Sequence, residues 1–206
     1  MFTGLVQGMG SIVAVQPLAG GVHIEIDASA LAPRRIHIGD SIAVNGVCLT
    51  ATSIQGMRFG ADVSAETLSR TCGLDTPGAV NLETSLALGD TLGGHLVSGH
   101  VDGVGEVLRC TPVGESIEFV VQASALLAPF LAIKGSVAVD GVSLTINQVK
   151  DRGGPNPGCE ISINLIPHTL AVTTLGNRGP GTRVNMEVDM IARYVERMIQ
   201  GRFLQY

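Results

Sequence analysis

Short apolar alternations broken by glycine recur along the chain. VHIEI (22–26) and IEFVV (117–121) have the β-branched, alternating composition of strands, and SIAV (41–44) and VCLTA (47–51) repeat the pattern on either side of a turn. The turn is Asn45-Gly46, and Asp140-Gly141 occupies the same place between SVAV and VSLT. Both dipeptides suit a type I′ hairpin turn, which needs positive φ at its two central residues. A two-residue turn sets the register, with Val44 opposite Val47, Ala43 opposite Cys48, Ile42 opposite Leu49 and Ser41 opposite Thr50. Opposed residues share a face. Ile42, Val44, Val47 and Leu49 then make a core face, and Ser41, Ala43, Cys48 and Thr50 a face of small, mildly polar side chains; Ser136, Ala138, Ser143 and Thr145 are the counterparts. ASALAP (28–33) and ASALLAPFL (123–131) leave room for a helical turn or two. After Asp189, a residue suited to cap a helix, apolar residues at 191, 194, 195, 198 and 199 form one helical stripe.

The two hairpins belong to a longer repeat. Residues 4–50 align on 99–145 without a gap, so that GLVQGMG meets GHVDGVG and Pro17 meets Pro112. The echo continues with gaps: AETLSRT (65–71) resembles PHTLAVT (167–173), and VNLE resembles VNMEVD. Two copies of a unit this long do not make a solenoid, which needs shorter units and about three of them. They make two similar compact domains, each a small barrel or sandwich of short strands, with boundaries expected at 1–97, 98–188 and 189–206.

Composition narrows the partners. The net charge of −5 provides no broad basic field for nucleic acid or an anionic membrane. No apolar run reaches the roughly 20 residues of a membrane-spanning helix. The N-terminus MFTGLVQGMG lacks the basic and apolar regions of a secretory signal, and Cys48, Cys72, Cys110 and Cys159 form no C-x-x-C pair. A cytoplasmic, reducing location is expected, with no zinc site or disulfide framework.

Where the copies differ, the second gains ionisable groups. Gly39 becomes Lys134, Leu5 becomes His100, Glu66 becomes His168 and Ser85 becomes Asp189. A histidine titrates near neutrality and a lysine supplies a fixed cation, so these are candidates for proton transfer and charge stabilisation. His95 and His100 both lie in GGHLVSGHVDG. Spacing of i, i+5 in a strand would put them on opposite faces, which argues against a shared metal. One small polar hairpin face is an ordinary exposed strand pair; two copies keeping the pattern point to a ligand floor.

MFTGLVQG, the N-G-V-C-L-T hairpin, GGHLVSGHVDG, the D-G-V-S-L-T hairpin, NLIPHTLAVTTLG and VNMEVD together resemble the alpha-type riboflavin synthase family, in order from Met1 to about Asp189. The resemblance implies a mainly β chain: two tandem Greek-key β-barrels with short helices, a C-terminal α-helix, and a homotrimer held by those helices. It implies a dismutation, the last step of riboflavin biosynthesis, in which two molecules of 6,7-dimethyl-8-ribityllumazine give riboflavin and 5-amino-6-(D-ribitylamino)uracil. One lumazine donates a four-carbon unit to the other, and no cofactor or metal takes part. A reaction that consumes two copies of one substrate explains a chain that carries two similar pockets.

Carried over residue by residue, the resemblance assigns Gly4, Leu5 and Val6 to the first pocket, with Ser41, Cys48, Leu49 and Thr50, then Asp62, Val63, Ser64, Ala65, Glu66 and Thr67. It assigns Gly99, His100 and Val101 to the second, with Lys134, then Ser143, Leu144 and Thr145, then Asn164, Leu165, Ile166, Pro167, His168 and Thr169. His100, Cys48, Ser143 and Asp189 are the catalytic candidates, His100 for proton transfer. The family pattern leads one to expect Glu at 168, where this chain has His168. The alternative is a non-catalytic lumazine- or flavin-binding protein. Such a carrier can lose His100, Ser143, Lys134 or Cys48, and this chain has all four.

Overall fold

The computed structural model describes residues 1–31, 36–155 and 157–203. The first half contains β1 (Gly8–Leu18), β2 (Gly21–Asp27), β3 (Ser41–Val44), β4 (Val47–Thr50), β5 (Ser53–Gln55), β6 (Arg58–Ser64), α1 (Ala65–Arg70) and β7 (Gly78–Thr84). The second contains β8 (Gly103–Val113), β9 (Ser116–Ser124), β10 (Ser136–Val139), β11 (Val142–Arg152), β12 (Gly158–Leu165), α2 (Pro167–Val172) and β13 (Arg183–Val188), and α3 (Met190–Phe203) follows. ASAL and the APF of the second copy form single 3₁₀ turns, Ser29–Leu31 and Ala128–Phe130. Ala32 and Pro33, which end the first expected turn, lie outside the described residues.

The halves share one Greek-key order and differ in how the ring closes. The second is a closed barrel, β10-β11-β12-β9-β8-β13. The first is a seven-stranded sheet, β4-β3-β7-β1-β2-β6-β5, whose end strands β4 and β5 are consecutive in the chain. β11 runs unbroken where β4 and β5 are separated by Ala51 and Thr52, and it absorbs the bend as a register shift between Ile146 and Gln148. In the first half, Thr52 covers the break by donating its N–H (2.8 Å) and its hydroxyl (3.2 Å) to the Gly60 carbonyl. Each ring encloses its own core. Ile12, Ile24, Ile26, Ile42, Phe59 and Leu82 fill the first, and Phe119, Val121, Val137, Ile146, Ile161 and Met186 the second.

The hairpins form in the register that their turns dictate, with Ser41 opposite Thr50 and Ser136 opposite Thr145. Asn45 and Gly46 have φ of 46° and 79°, and Asp140 and Gly141 have 45° and 79°. The two turns meet backbone to backbone. A Cβ on Gly46 would lie 2.7 Å from the Gly141 nitrogen, and one on Gly141 would lie 2.8 Å from the Gly46 nitrogen. Buried polar backbone needs partners, and asparagines supply them reciprocally. Asn81 Nδ2 donates to the Asp140 carbonyl (2.8 Å) and Asn185 Nδ2 to the Asn45 carbonyl (3.0 Å). Asn45 Oδ1 accepts from the Asn81 N–H, and Asp140 Oδ1 from the Asn185 N–H, both at 2.8 Å.

At this seam the strands that lead into each half cross. Phe2 and Val97 exchange backbone hydrogen bonds of 2.7 and 3.1 Å. Gly4 then gives its carbonyl to the Ser143 N–H of the second barrel (2.7 Å), and Gly99 gives its carbonyl to the Cys48 N–H of the first (2.8 Å). A buried carboxylate pins each crossing. Glu83 accepts from Thr3 N, Thr3 Oγ1 and Gly4 N, and Glu187 from Ser98 N, Ser98 Oγ and Gly99 N. The chain after β13 turns into α3, where Asp189 Oδ1 accepts from the Ile191 N–H (2.8 Å), as its capping role predicts. Asp102 then grips Arg193 with both oxygens, at 2.6 and 2.9 Å. The apolar stripe of α3 is left exposed: Ile191, Tyr194, Val195, Met198 and Ile199 all face solvent in large part, Ile191 at 66%. No described helix is long and apolar enough to cross a membrane.

Glu187→Ala would leave three donors at the crossing without their acceptor. Buried unsatisfied donors cost about 1–3 kcal/mol each, and partial rehydration limits the sum. The expected loss is about 3 kcal/mol, seen as a lower urea midpoint, with Glu187→Gln losing less because its amide oxygen still accepts. A midpoint unchanged in the alanine variant would remove the carboxylate from the fold's support.

Candidate functional site

Each crossing strand finishes on the other half's barrel, and this regroups the expected pockets. The first site is built on β3 and β4. Ser41, Cys48 and Thr50 are at least partly accessible there, and Gly99 lies against Cys48 so closely that a Cβ would sit 2.6 Å from the Cys48 Cβ. Gly99 has φ of 80°, so only glycine fits both the backbone and the approach. His100 follows, exposed, and Val101 packs against the first barrel's core. The second site mirrors this. Gly4, with φ of 73°, lies against Ser143, where a Cβ would again sit 2.6 Å from the Ser143 Cβ, and Val6 packs against the second barrel's core beside exposed Leu5. Gly4, Leu5 and Val6 therefore stand with Ser143, Leu144 and Thr145, while Gly99, His100 and Val101 stand with Cys48 and Thr50. The expected grouping was the reverse. It followed chain order, and the crossing at Phe2 and Val97 exchanges the two segments.

The expected floor also needs correction. Ala43 and Ala138 are buried, at 4% and 2% exposure, and join Phe2 and Val97 in an apolar cluster on which Cys48 packs. The middle of each small-residue face is thus a seam between the halves, and the open part lies toward Ser41 and Thr50 in the first copy and Thr145 in the second. Leu49, Val63 and Leu165 turn their side chains into the barrel cores, so only their backbone can meet a ligand.

The remaining first-site residues lie where β6 enters α1. Ser64 caps the helix by accepting from the Thr67 N–H (3.1 Å), Asp62 pairs with His23 at 2.6 Å, and Glu66 pairs with Arg70 at 3.0 Å beside Ala65. The equivalent corner of the second barrel follows Asn164 and Leu165. Ile166 is the N-cap, Pro167 stands in the first turn, and His168 is exposed next to Thr169. Lys134 and Gly39 occupy matching bends. Their N–H groups donate to the Ile146 and Ala51 carbonyls at 2.7 and 2.8 Å, and both have positive φ, 66° and 94°. Lys134 is therefore a lysine held where the first copy uses glycine, and its Nζ reaches Asn147 Oδ1 at 3.4 Å.

The geometry adds a group to the candidate set. His95 Nδ1 lies 2.7 Å from Ser143 Oγ. Burial pushes the His95 pKa below its ordinary 6.5, and the nearby Asp189 carboxylate pulls it partly back. His95 lies in the GGHLVSGH motif, but the strand-like spacing that set it apart from His100 does not apply, because residues 91–102 form an irregular connection with a single bridge at Val97. Among the described residues, no three His, Cys, Asp or Glu side chains converge to hold a metal ion. Asp102 and His23 were also not singled out by the sequence. Asp102 lies within the quoted HVDG, and its role shows through the Val188 N–H and the Arg193 side chain that it binds.

The His95 shift carries a pH dependence. Its folded pKa lies below the unfolded value, so the unfolded chain binds the proton more readily. The stability that His95 contributes is complete above about pH 6.5 and is lost as pH falls through the folded pKa. Glu83 and Asp140 are pushed the opposite way by burial and respond with opposite sign. The informative measurement is therefore the difference between the parent and His95→Asn across pH 7.5 to 5. The parent should lose stability relative to the variant on acidification, and a constant difference would show that His95 titrates alike in both states.

A lumazine binding domain model matches the chain twice, at residues 3–85 and 98–189. The riboflavin synthase of Photobacterium phosphoreum is 40% identical over 201 residues, covering 97% of this chain and 89% of that protein. Those of Brucella abortus and Mycobacterium tuberculosis are 42% and 43% identical and cover 98% and 99% of their own lengths. In fold, the chain is similar to the crystal structure of LumP complexed with riboflavin, with a TM-score of 0.77 at 24% identity over 91% of this chain and 99% of that one. Two matched repeats, full-length identity of about this level to several synthases and a pair of like barrels agree: the chain belongs to the riboflavin synthase family.

Proposed function

We propose that this chain converts two molecules of 6,7-dimethyl-8-ribityllumazine into riboflavin and 5-amino-6-(D-ribitylamino)uracil by passing a four-carbon unit from one to the other. The observation that carries this reading is the pair of like but unequal sites at the crossed strands, in a chain of the riboflavin synthase family. The two products contain all the atoms of the two substrates, so the exchange needs no external oxidant or reductant. The lumazine ring is its own electron sink, and its C7 methyl protons are acidic. The protein has to hold two rings and move protons. Proximity is worth roughly 7–11 kcal/mol, and a positioned acid or base about 10²–10⁴-fold.

Within this reading residues 1–97, 98–188 and 189–206 act as first lumazine barrel, second lumazine barrel and assembly helix. Cys48, Ser41, Thr50 and the Asp62–Thr67 corner hold one ring and its ribityl chain, with His100 beside them for proton transfer. Ser143, Thr145, Lys134 and the Asn164–Thr169 corner hold the other, with Asp189 at the edge. Each catalytic site joins the first barrel of one subunit to the second barrel of a neighbour in a homotrimer. The exposed stripe of α3, with Tyr194 and Met198 each at 65%, supports assembly through that helix. A cytoplasmic location suits an enzyme whose substrates are small soluble heterocycles.

Incubation with the lumazine should yield riboflavin with two substrates consumed per product. Bound but unchanged lumazine would make the protein a carrier. Removal of residues 190–206 should yield folded, monomeric, nearly inactive protein, and sedimentation of an intact trimer would take the assembly role away from α3.

Lys134→Gly separates function from fold. Glycine relieves a left-handed lysine, a strain of about 1–2 kcal/mol, and costs part of that gain through the freer unfolded chain. The urea midpoint should hold or rise while riboflavin binding weakens about tenfold, the scale of one charge-assisted hydrogen bond. A lower midpoint with unchanged affinity would make Lys134 structural.

A further inference from the structure

The second site contains an interaction with no counterpart in the first. Ser143 Oγ lies 2.7 Å from His95 Nδ1, whereas Cys48, which occupies the equivalent hairpin position, makes no side-chain hydrogen bond among the described residues. The chain is shaped to permit the contact. Gly94 runs so close to the hairpin that a Cβ there would lie 2.1 Å from the Thr3 carbonyl oxygen and 3.0 Å from Ser143 Oγ, and a Cβ on Gly93 would lie 2.6 Å from Leu5 Cδ1. The His95 N–H donates to the same Thr3 carbonyl at 3.1 Å, which fixes the residue's root. Two successive glycines thus let the backbone lie flat and deliver the imidazole to the serine.

His95 Nε2 is buried and has no hydrogen-bond partner among the described residues. Physical grounds then choose between the tautomers. A buried N–H without an acceptor is costly and rare, and an under-used acceptor is better tolerated. Nε2 is therefore the bare nitrogen, and Nδ1 carries the proton. Nδ1–H then donates to Ser143 Oγ, and the serine's own hydrogen is released from internal bonding. Burial lowers the His95 pKa and so favours the neutral ring that this arrangement needs.

We propose that His95 is a positioning residue that fixes the Ser143 hydroxyl as an oriented hydrogen-bond donor, so that the second pocket presents a directed O–H to an acceptor atom of the bound heterocycle while the first presents an unconstrained thiol. The proposal rests on the reading of Ser143 as part of a lumazine pocket. A donor fixed in advance is worth most where negative charge grows on the ring, as when the C7 methyl gives up a proton. The His95 ring bonds Ser143 Oγ and acts through it.

The test uses the full-length chain. With ¹⁵N-labelled histidine, the His95 ring should show the Nδ1–H neutral tautomer, and Ser143→Ala should shift the Nδ1 resonance. An Nε2–H tautomer would overturn the proposal. In steady-state assays with dimethylribityllumazine, His95→Leu and Ser143→Ala should each lower kcat about 10–100-fold, somewhat below the loss of a direct oxyanion donor, with little change in riboflavin affinity. The double variant should be no worse than either single one. His95→Asn, which places an amide N–H near the Nδ1 position, should recover most of what leucine loses. Multiplicative losses, or an asparagine variant as slow as the leucine variant, would overturn it. A parent that binds lumazine without turning it over would refute the proposed reaction, while the tautomer and its dependence on Ser143 would still test the role of His95.

Discussion

Everything in this chain depends on burying two polar hairpin turns against each other. Gly46 and Gly141 meet with no side chain between them, so the backbone groups around them are shut away from water and must be satisfied inside the protein. The solution is reciprocal. Each half lends an asparagine, Asn81 or Asn185, whose side chain reaches the other half's turn, and each turn's own Asn45 or Asp140 side chain returns the bond to its own half. Repeating the sequence repeats the donors and acceptors, and a pseudo-twofold seam follows from that duplication.

Once the turns are joined, the leading strands have little choice. Phe2 pairs with Val97, and Glu83 and Glu187 hold Thr3 to Gly4 and Ser98 to Gly99 in place. The hairpin edges that they meet belong to the opposite barrel. Each site is consequently made by both halves, and a cut at residue 97 would part Gly99, His100 and Val101 from the barrel they complete. The repeat is duplicated in sequence but interlocked in space.

This is also where reading the chain succeeds and fails. The register of both hairpins was legible because an Asn-Gly or Asp-Gly turn fixes pairing locally and the alternation on either side agrees with it. The α3 stripe was legible for a similar reason, since one short periodic segment carries it whole. The partners of Gly4 and Gly99 were not legible, because aligning repeats identifies equivalent positions, and contact across a seam is a different relation. The burial of Ala43 and Ala138 was hidden because a small side chain reads the same whether it floors a pocket or lets two backbones approach. His95 stood in plain view, but its partner Ser143 is 48 positions away and is met only through the crossing.

Divergence within the duplicated frame shows which changes the seam tolerates. Asn45 becomes Asp140, a charge in a fully enclosed place, and burial raises its pKa. The second half compensates with Arg178, whose Nη2 lies 3.0 Å from Asp140 Oδ2, so a neutral turn is replaced by an ion pair with the same backbone bonds. Beyond the two turns, the changes follow no such need. Gly39 becomes Lys134 at positive φ, Cys48 becomes Ser143 under an imidazole, and Ser85 becomes Asp189 at the head of a helix whose apolar face looks outward. The first substitution is strained, and the other two place polar groups near His95. Changes that keep the seam's hydrogen bonds are structural compensation. Lys134, held at positive φ where the first copy has glycine, works against local preference, and seam compensation does not account for it.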